Sequence, residues 1–122
     1  MHKRVLDHTS VPIANLQRSR DFYEGILGFT PAPRPDLGIP GVWYDLGVGQ
    51  LHLIQREGAG TGPGRNIDPT GPHFAVRVED LDTLRRQLKD LGIEMLDFGG
   101  DQLWIHDPDG NTVELRSGDA AR

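Results

Sequence analysis

Four side chains with metal-binding chemistry recur at matched places in this chain: His8, His52, His73 and Glu114. His8 opens the stretch "LDHTSVPIANL" (6–16) and His73 opens "GPHFAVRVEDL" (71–81), 65 residues later. His52 sits in "LHLIQ" and Glu114 in "TVELR", each 41 to 44 residues after its partner histidine. All four lie in runs where apolar residues alternate, the mark of a half-buried strand whose successive side chains point to opposite faces. Val11 and Ile13, Leu51 and Leu53, Phe74 and Val76, and Val113 and Leu115 define one face, so the four polar side chains take the other. If those strands are neighbours, three imidazoles and one carboxylate converge. That donor set suits a divalent cation such as Zn, Ni, Fe, Mn or Co. A single strand histidine is more often packed or solvated than a ligand, but four at equivalent places argue for a metal. Without one, a partly apolar surface would hold four polar groups at a cost in free energy.

Parity extends the candidate site. Ser10 is two residues from His8, Arg116 two from Glu114 and Arg77 four from His73, all on the metal-facing side. These groups are expected to bind substrate, the arginines by clamping a carboxylate or phosphate. The competing reading of both arginines is extension into solvent at strand ends. Trp43, Tyr44 and Trp104 fall in strands bordering the same surface. At least one is expected to supply an apolar wall for an organic molecule, with Trp104 assigned to substrate binding and core packing as the alternative. His2 and His106 receive no role.

The elements that must position these residues form a duplicated plan. Asn15 and Asp80 have side-chain oxygens suited to capping a helix start. Leu81, Leu84, Leu88 and Leu91 follow at helical spacing up to Gly92, as Leu16, Phe22, Tyr23, Ile26 and Leu27 do up to Gly28. Short β runs come next: "GVWYDLG" and "QLHLIQR" in the first half, "IEMLDF", "DQLWIHD" and "NTVELRS" in the second, with "DPDGN" (107–111) as a hairpin turn. Each half therefore reads β-α-β-β-β, an α+β fold, and the strand between Phe29 and Pro40 is weakened by its prolines. The expected organisation is one domain over 1–122, with a first module at 5–56, a glycine-rich flexible linker at 57–71 and a second module at 72–117.

Composition narrows the function. With 122 residues, 36% hydrophobic and 25% charged, the chain is large enough for a core without staples. The net charge of −5 and the absence of a basic cluster argue against nucleic acid. No cysteine is present, which excludes disulfides, thiolate metal sites and a cysteine nucleophile. No apolar stretch matches a membrane span and "MHKRVLDH" has no signal-peptide core, so a cytoplasmic location is expected. The segment "EGAGTGPGRNIDPTGP" (57–72) fits neither phosphate-loop pattern.

At "LDH", "SRDFYEGILGF", "GPHFAV" and "DPDGNTVEL" the sequence resembles the vicinal oxygen chelate superfamily, from about Val5 to Ser117. That superfamily includes glyoxalase I, fosfomycin and bleomycin resistance proteins, methylmalonyl-CoA epimerase and extradiol dioxygenases. The resemblance implies two βαβββ modules curled around a metal, with ligands at His8, His52, His73 and Glu114. It implies a small-molecule substrate and a homodimer in which His8 and His52 of one chain meet His73 and Glu114 of the other. The duplication would then give each module half a ligand set. The implied reaction is of glyoxalase type, a lyase or isomerase reaction in which the metal chelates adjacent substrate oxygens and Glu114 acts as base. The chain departs from glyoxalase I by carrying His52 where a second glutamate stands, which raises the site's charge by one. Three other readings remain: an Fe(II) ring-cleaving dioxygenase, a fosfomycin-type transferase, and a non-catalytic binding protein of the bleomycin-resistance type. Ser10 stands where the fosfomycin enzymes carry a threonine, and their remaining phosphonate-binding positions find no match here.

Overall fold

A computed structural model of the chain describes residues 2–60 and 66–118. Residues 61–65, within the expected linker, lie outside the described residues, as do 119–122. The chain divides into two compact units, Met1–Gly60 and Thr61–Arg122.

The first unit runs β1 (His8–Ile13), α1 (Leu16–Arg20), a π-helical continuation (Asp21–Ile26), β2 (Pro31–Ala32), β3 (Gly41–Leu46) and β4 (Gly49–Gln55). The second runs β5 (His73–Val78), α2 (Leu81–Asp90), β6 (Met95–Asp97), β7 (Gln102–His106) and β8 (Thr112–Ser117). Each unit has one curled four-stranded sheet, ordered β1-β4-β3-β2 and β5-β8-β7-β6. The first and last strands of each unit are parallel neighbours, and the remaining pairs are antiparallel. The helix is the crossover that a parallel pair requires. Both units thus realise β-α-β-β-β, the arrangement read from the sequence.

Caps fix where the helices begin. The Asn15 Oδ1 accepts from the Arg18 N–H at 2.9 Å, and the Asp80 carboxylate accepts from the Thr83 N–H and hydroxyl. At the end of α2, Gly92 adopts φ 72° and donates to the Lys89 carbonyl, while Ile93 donates to that of Leu88. This glycine-terminated pattern satisfies carbonyls that the helix leaves free. The first-unit helix differs from simple expectation, since after Arg20 it widens to a π pattern, with the Leu27 N–H bonded to the Phe22 carbonyl. Within this turn the consecutive residues Phe22 and Tyr23 are both buried. The proline-crowded segment contributes only the two-residue β2.

Alternation sorts each sheet into a helix-covered and a helix-free face. In the first unit Val11, Ile13, Val42, Tyr44, Leu51 and Leu53 are buried with Phe22 and Tyr23. In the second, Leu103, Ile105, Val113 and Leu115 are buried with Leu81, Leu84 and Leu88. Between β7 and β8 the Asp107 carboxylate accepts from the Asp109 and Asn111 backbone N–H groups and from the Asn111 amide, and Gly110 takes φ 85°. This turn sets the antiparallel register that places Trp104 opposite Glu114.

One buried polar contact ties helix to sheet. The Tyr44 hydroxyl donates to the Glu24 carboxylate at 2.8 Å, which also accepts from the Arg20 guanidinium. Burial and the neighbouring Glu24 push the Tyr44 phenol up, while the Arg20 hydrogen bond holds Glu24 below its ordinary value near 4.5. A carboxyl with a lowered folded-state pKa contributes stability that is complete above the unfolded value and is lost as pH falls through the folded one. Thermal midpoints measured between pH 6 and 3 are therefore expected to drop on the acid side, with a shallower drop in Glu24→Gln. Identical acid limbs in the two proteins would assign that loss to other carboxylates.

Candidate metal and substrate site

The helix-free face of the first sheet carries a ladder of stacked rings. His8 on β1 stacks on His52 on β4, with centroids 4.0 Å apart and planes within 14°. His52 in turn stacks on Trp43 of β3 at 4.2 Å and 7°. The order β1-β4-β3 puts the three rings side by side, and the register pairs Ser10 and Trp43 with His52 on either side. Tyr44, one residue from Trp43, points to the opposite face and is fully buried. Of the two neighbouring aromatics, Trp43 lines the candidate site and Tyr44 belongs to the core.

Hydrogen bonds select the proton positions on these imidazoles. The His8 Nδ1 lies 2.7 Å from the Asp7 carboxylate, an acceptor only, so Nδ1 carries the proton and Nε2 keeps its lone pair. The Gln50 amide is oriented by donating to Asp45 at 2.9 Å, which turns its oxygen toward the His52 Nε2, also at 2.9 Å. Burial first, and the nearby His8 second, hold His52 below the usual histidine range, so it is neutral at neutral pH. Asp7, His8, Trp43, Asp45, Gln50 and His52, with the Gly47–Gly49 turn, border an open hollow of about 580 Å³.

The second unit places His73, Arg77, Glu114, Arg116 and Trp104 on its own helix-free face. The His73 Nδ1–H donates to the Gly71 carbonyl at 2.8 Å, leaving Nε2 3.0 Å from Glu114 Oε1. Two electron pairs facing at that distance repel, so a proton or a cation must lie between them. Arg116 donates to the other oxygen of the buried Glu114 carboxylate at 3.0 Å. Arg77 instead reaches the Ser117 carbonyl at the strand end, 3.4 Å away. Trp104 is buried opposite Glu114, and its indole N–H finds no acceptor among the described residues.

The donor chemistry fits a divalent cation. His8 has Nδ1 engaged by the Asp7 carboxylate and Nε2 without a partner among the described residues, the arrangement that orients metal-binding histidines. His73 has Nδ1 on the Gly71 carbonyl and Nε2 on Glu114. His52, whose Nε2–H donates to the Gln50 oxygen, keeps Nδ1 as its donor atom. The buried Glu114 adds a carboxylate oxygen. Each unit brings together a pair, His8 with His52 and His73 with Glu114, and neither unit gathers three metal-capable side chains among its described residues. Two participants lie outside the residues singled out from the sequence, Asp7 and Gln50. Gln50 was accessible by parity, lying two residues before His52 on the same strand face.

Residues 5–115 match the model of the Glyoxalase/Bleomycin resistance protein/Dioxygenase superfamily. The chain belongs to this superfamily. It is 32% identical to "Glyoxylase I 4" of Arabidopsis thaliana, over 94% of this chain and 71% of that protein. It is 29% identical to the glutathione transferase FosA of Serratia marcescens, over 95% and 82% of the two chains. Among solved structures, a putative glyoxalase family protein from Bacillus anthracis superposes with a TM-score of 0.76 at 23% identity, covering 98% of both chains. Superfamily membership accounts for the duplicated βαβββ plan, and the relatives include enzymes of more than one kind.

Proposed function

We propose that this chain is a cytoplasmic, homodimeric, divalent-metal-dependent enzyme of the glyoxalase type, a lyase or isomerase acting on a small oxygenated molecule. His8, His52, His73 and Glu114 are its metal ligands, His8 and His52 from one chain joining His73 and Glu114 of its partner. The observation that carries the reading is the His73–Glu114 contact, where a ring with Nδ1 already committed faces a carboxylate at 3.0 Å. When bound, Zn, Ni, Fe, Mn or Co would stabilise negative charge developing on adjacent substrate oxygens.

Glu114 is the residue that moves the proton. Its carboxylate is the only base of that type among the four ligands, and it takes the carbon-bound proton and returns it to the product. Arg116 holds the second carboxylate oxygen and keeps Glu114 aimed. Trp43 and Trp104 supply apolar walls that exclude water, and Ser10, Arg116 and Arg77 are the polar groups assigned to substrate. A fosfomycin-type transferase is the second reading, favoured by the likeness to FosA.

Metal analysis of protein purified without added metal tests the proposal. Stoichiometric nickel, zinc, cobalt or manganese with turnover of a carbonyl substrate supports it. Iron with substrate-dependent oxygen uptake would replace it with an oxygenase, and protein that binds no divalent metal would leave a non-catalytic binding role.

A further inference from the structure

Arg34, in the loop between β2 and β3, is a half-buried cation without a carboxylate partner among the described residues, on a chain whose net charge is −5. The contrast with other arginines is direct. Arg20 pairs with Glu24, Arg85 with Asp82 and Asp97, and Arg116 with Glu114. Among the described residues Arg34 donates only to the Ile39 carbonyl, through Nη2 at 2.8 Å, and its buried Nε–H finds no acceptor there. Removing a guanidinium from water without a counter-charge is costly, and such a group is retained where an anion comes to it.

Its position says where that anion would bind. A Cβ on Gly41 would come within 3.0 Å of the Arg34 Nη2 and 3.2 Å of its Cζ. Gly41 therefore leaves the space into which the guanidinium settles, although the same Cβ would also press on the Leu53 carbonyl. Gly41 shares strand parity with Trp43 and Asp45, which puts Arg34 on the helix-free face beside the ring ladder. The Arg34 charge is also felt at His52. The bond to Ile39 fixes the orientation of the planar group; with Nε buried, the terminal Nη1/Nη2 edge is the one left for an anion, and a lysine would reproduce only the charge.

We propose that Arg34 is a specificity-determining residue that receives an anionic oxygen group, a carboxylate or a phosphate or phosphonate, next to His52 and Trp43. The inference rests on the reading of this face as a substrate site and narrows its substrate to an anion. That assigns the recognition role to a residue of the first unit, alongside the arginines of β5 and β8.

The test is a titration of the full chain as purified with inorganic phosphate and with acetate, followed by NMR of the arginine Nε–H and histidine ring signals. Saturable shifts at Arg34 and His52 are expected. Arg34→Gln should weaken binding of the preferred anion by at least about tenfold, and Arg34→Lys should recover part of the loss. Melting midpoints and metal content of both variants, compared with the parent, show whether the loop and the metal donors survive. Phosphate alone binding would assign a phosphoryl or phosphonyl group, and acetate alone a carboxylate. Equal affinity in parent and Arg34→Gln, or no saturable shift with either anion, would overturn the inference. A parent that binds metal but shows no Arg34-dependent anion binding sinks only this inference. A parent without metal whose Arg34 still binds the anion sinks only the metal reading.

Discussion

Glu114→Gln is expected to lower kcat/KM by about a hundred- to ten-thousandfold, the range over which a positioned base contributes, while metal content stays close to that of the parent. The asymmetry follows from what the substitution removes. A glutamine keeps the size of the side chain and one oxygen that can face either the His73 Nε2 or the Arg116 guanidinium, the two groups 3.0 Å from the carboxylate. It cannot accept and hold a proton from carbon. On the proposed assignment, metal binding loses one charged donor of four, and turnover loses its base. The measurement is metal stoichiometry beside steady-state kinetics on the same preparation. Retained turnover would move the base to another residue, and simultaneous loss of metal and activity would leave Glu114 as a ligand only.

The division of labour between residues explains what the sequence could and could not disclose. Strand parity is local, so Val11 and Ile13 against His8, or Leu51 and Leu53 against His52, declare their faces without reference to the rest of the chain. Caps are equally local, and Asn15, Asp80 and Gly92 act as their types predict. Trp43 and Tyr44 are harder, because adjacent aromatics must take opposite faces and their own run is too short to say which. Pairing of Trp43 with His52 and Tyr44 with Leu51 decides it. Arg34 was out of reach, since a proline-rich loop has no periodicity and its side-chain direction comes only from tertiary contacts. The π-helical turn at Asp21–Ile26, with Phe22 and Tyr23 both buried, has no local signature either. Propensity does not specify it.

Mixing two inactive variants, His8→Ala and Glu114→Gln, is expected to restore about a quarter of the parent activity if the sites are shared across a homodimer. The first substitution removes the ring that stacks on His52 and offers a free Nε2, and the second removes the base. Either homodimer then carries a defect in both of its sites. In a mixed dimer the geometry of sharing gathers both defects into one site and leaves the other intact. Random exchange at equal concentrations makes about half of the dimers mixed, each with one of two sites working. If instead each chain completed its own site, every site in the mixture would carry one defect and activity would stay at the level of the variants. Subunit exchange under mild denaturant, followed by assay and by mass measurement of the intact assembly, separates the two. Recovery without mixed dimers would be contamination. Mixed dimers without recovery would place all four ligands of a site on one chain.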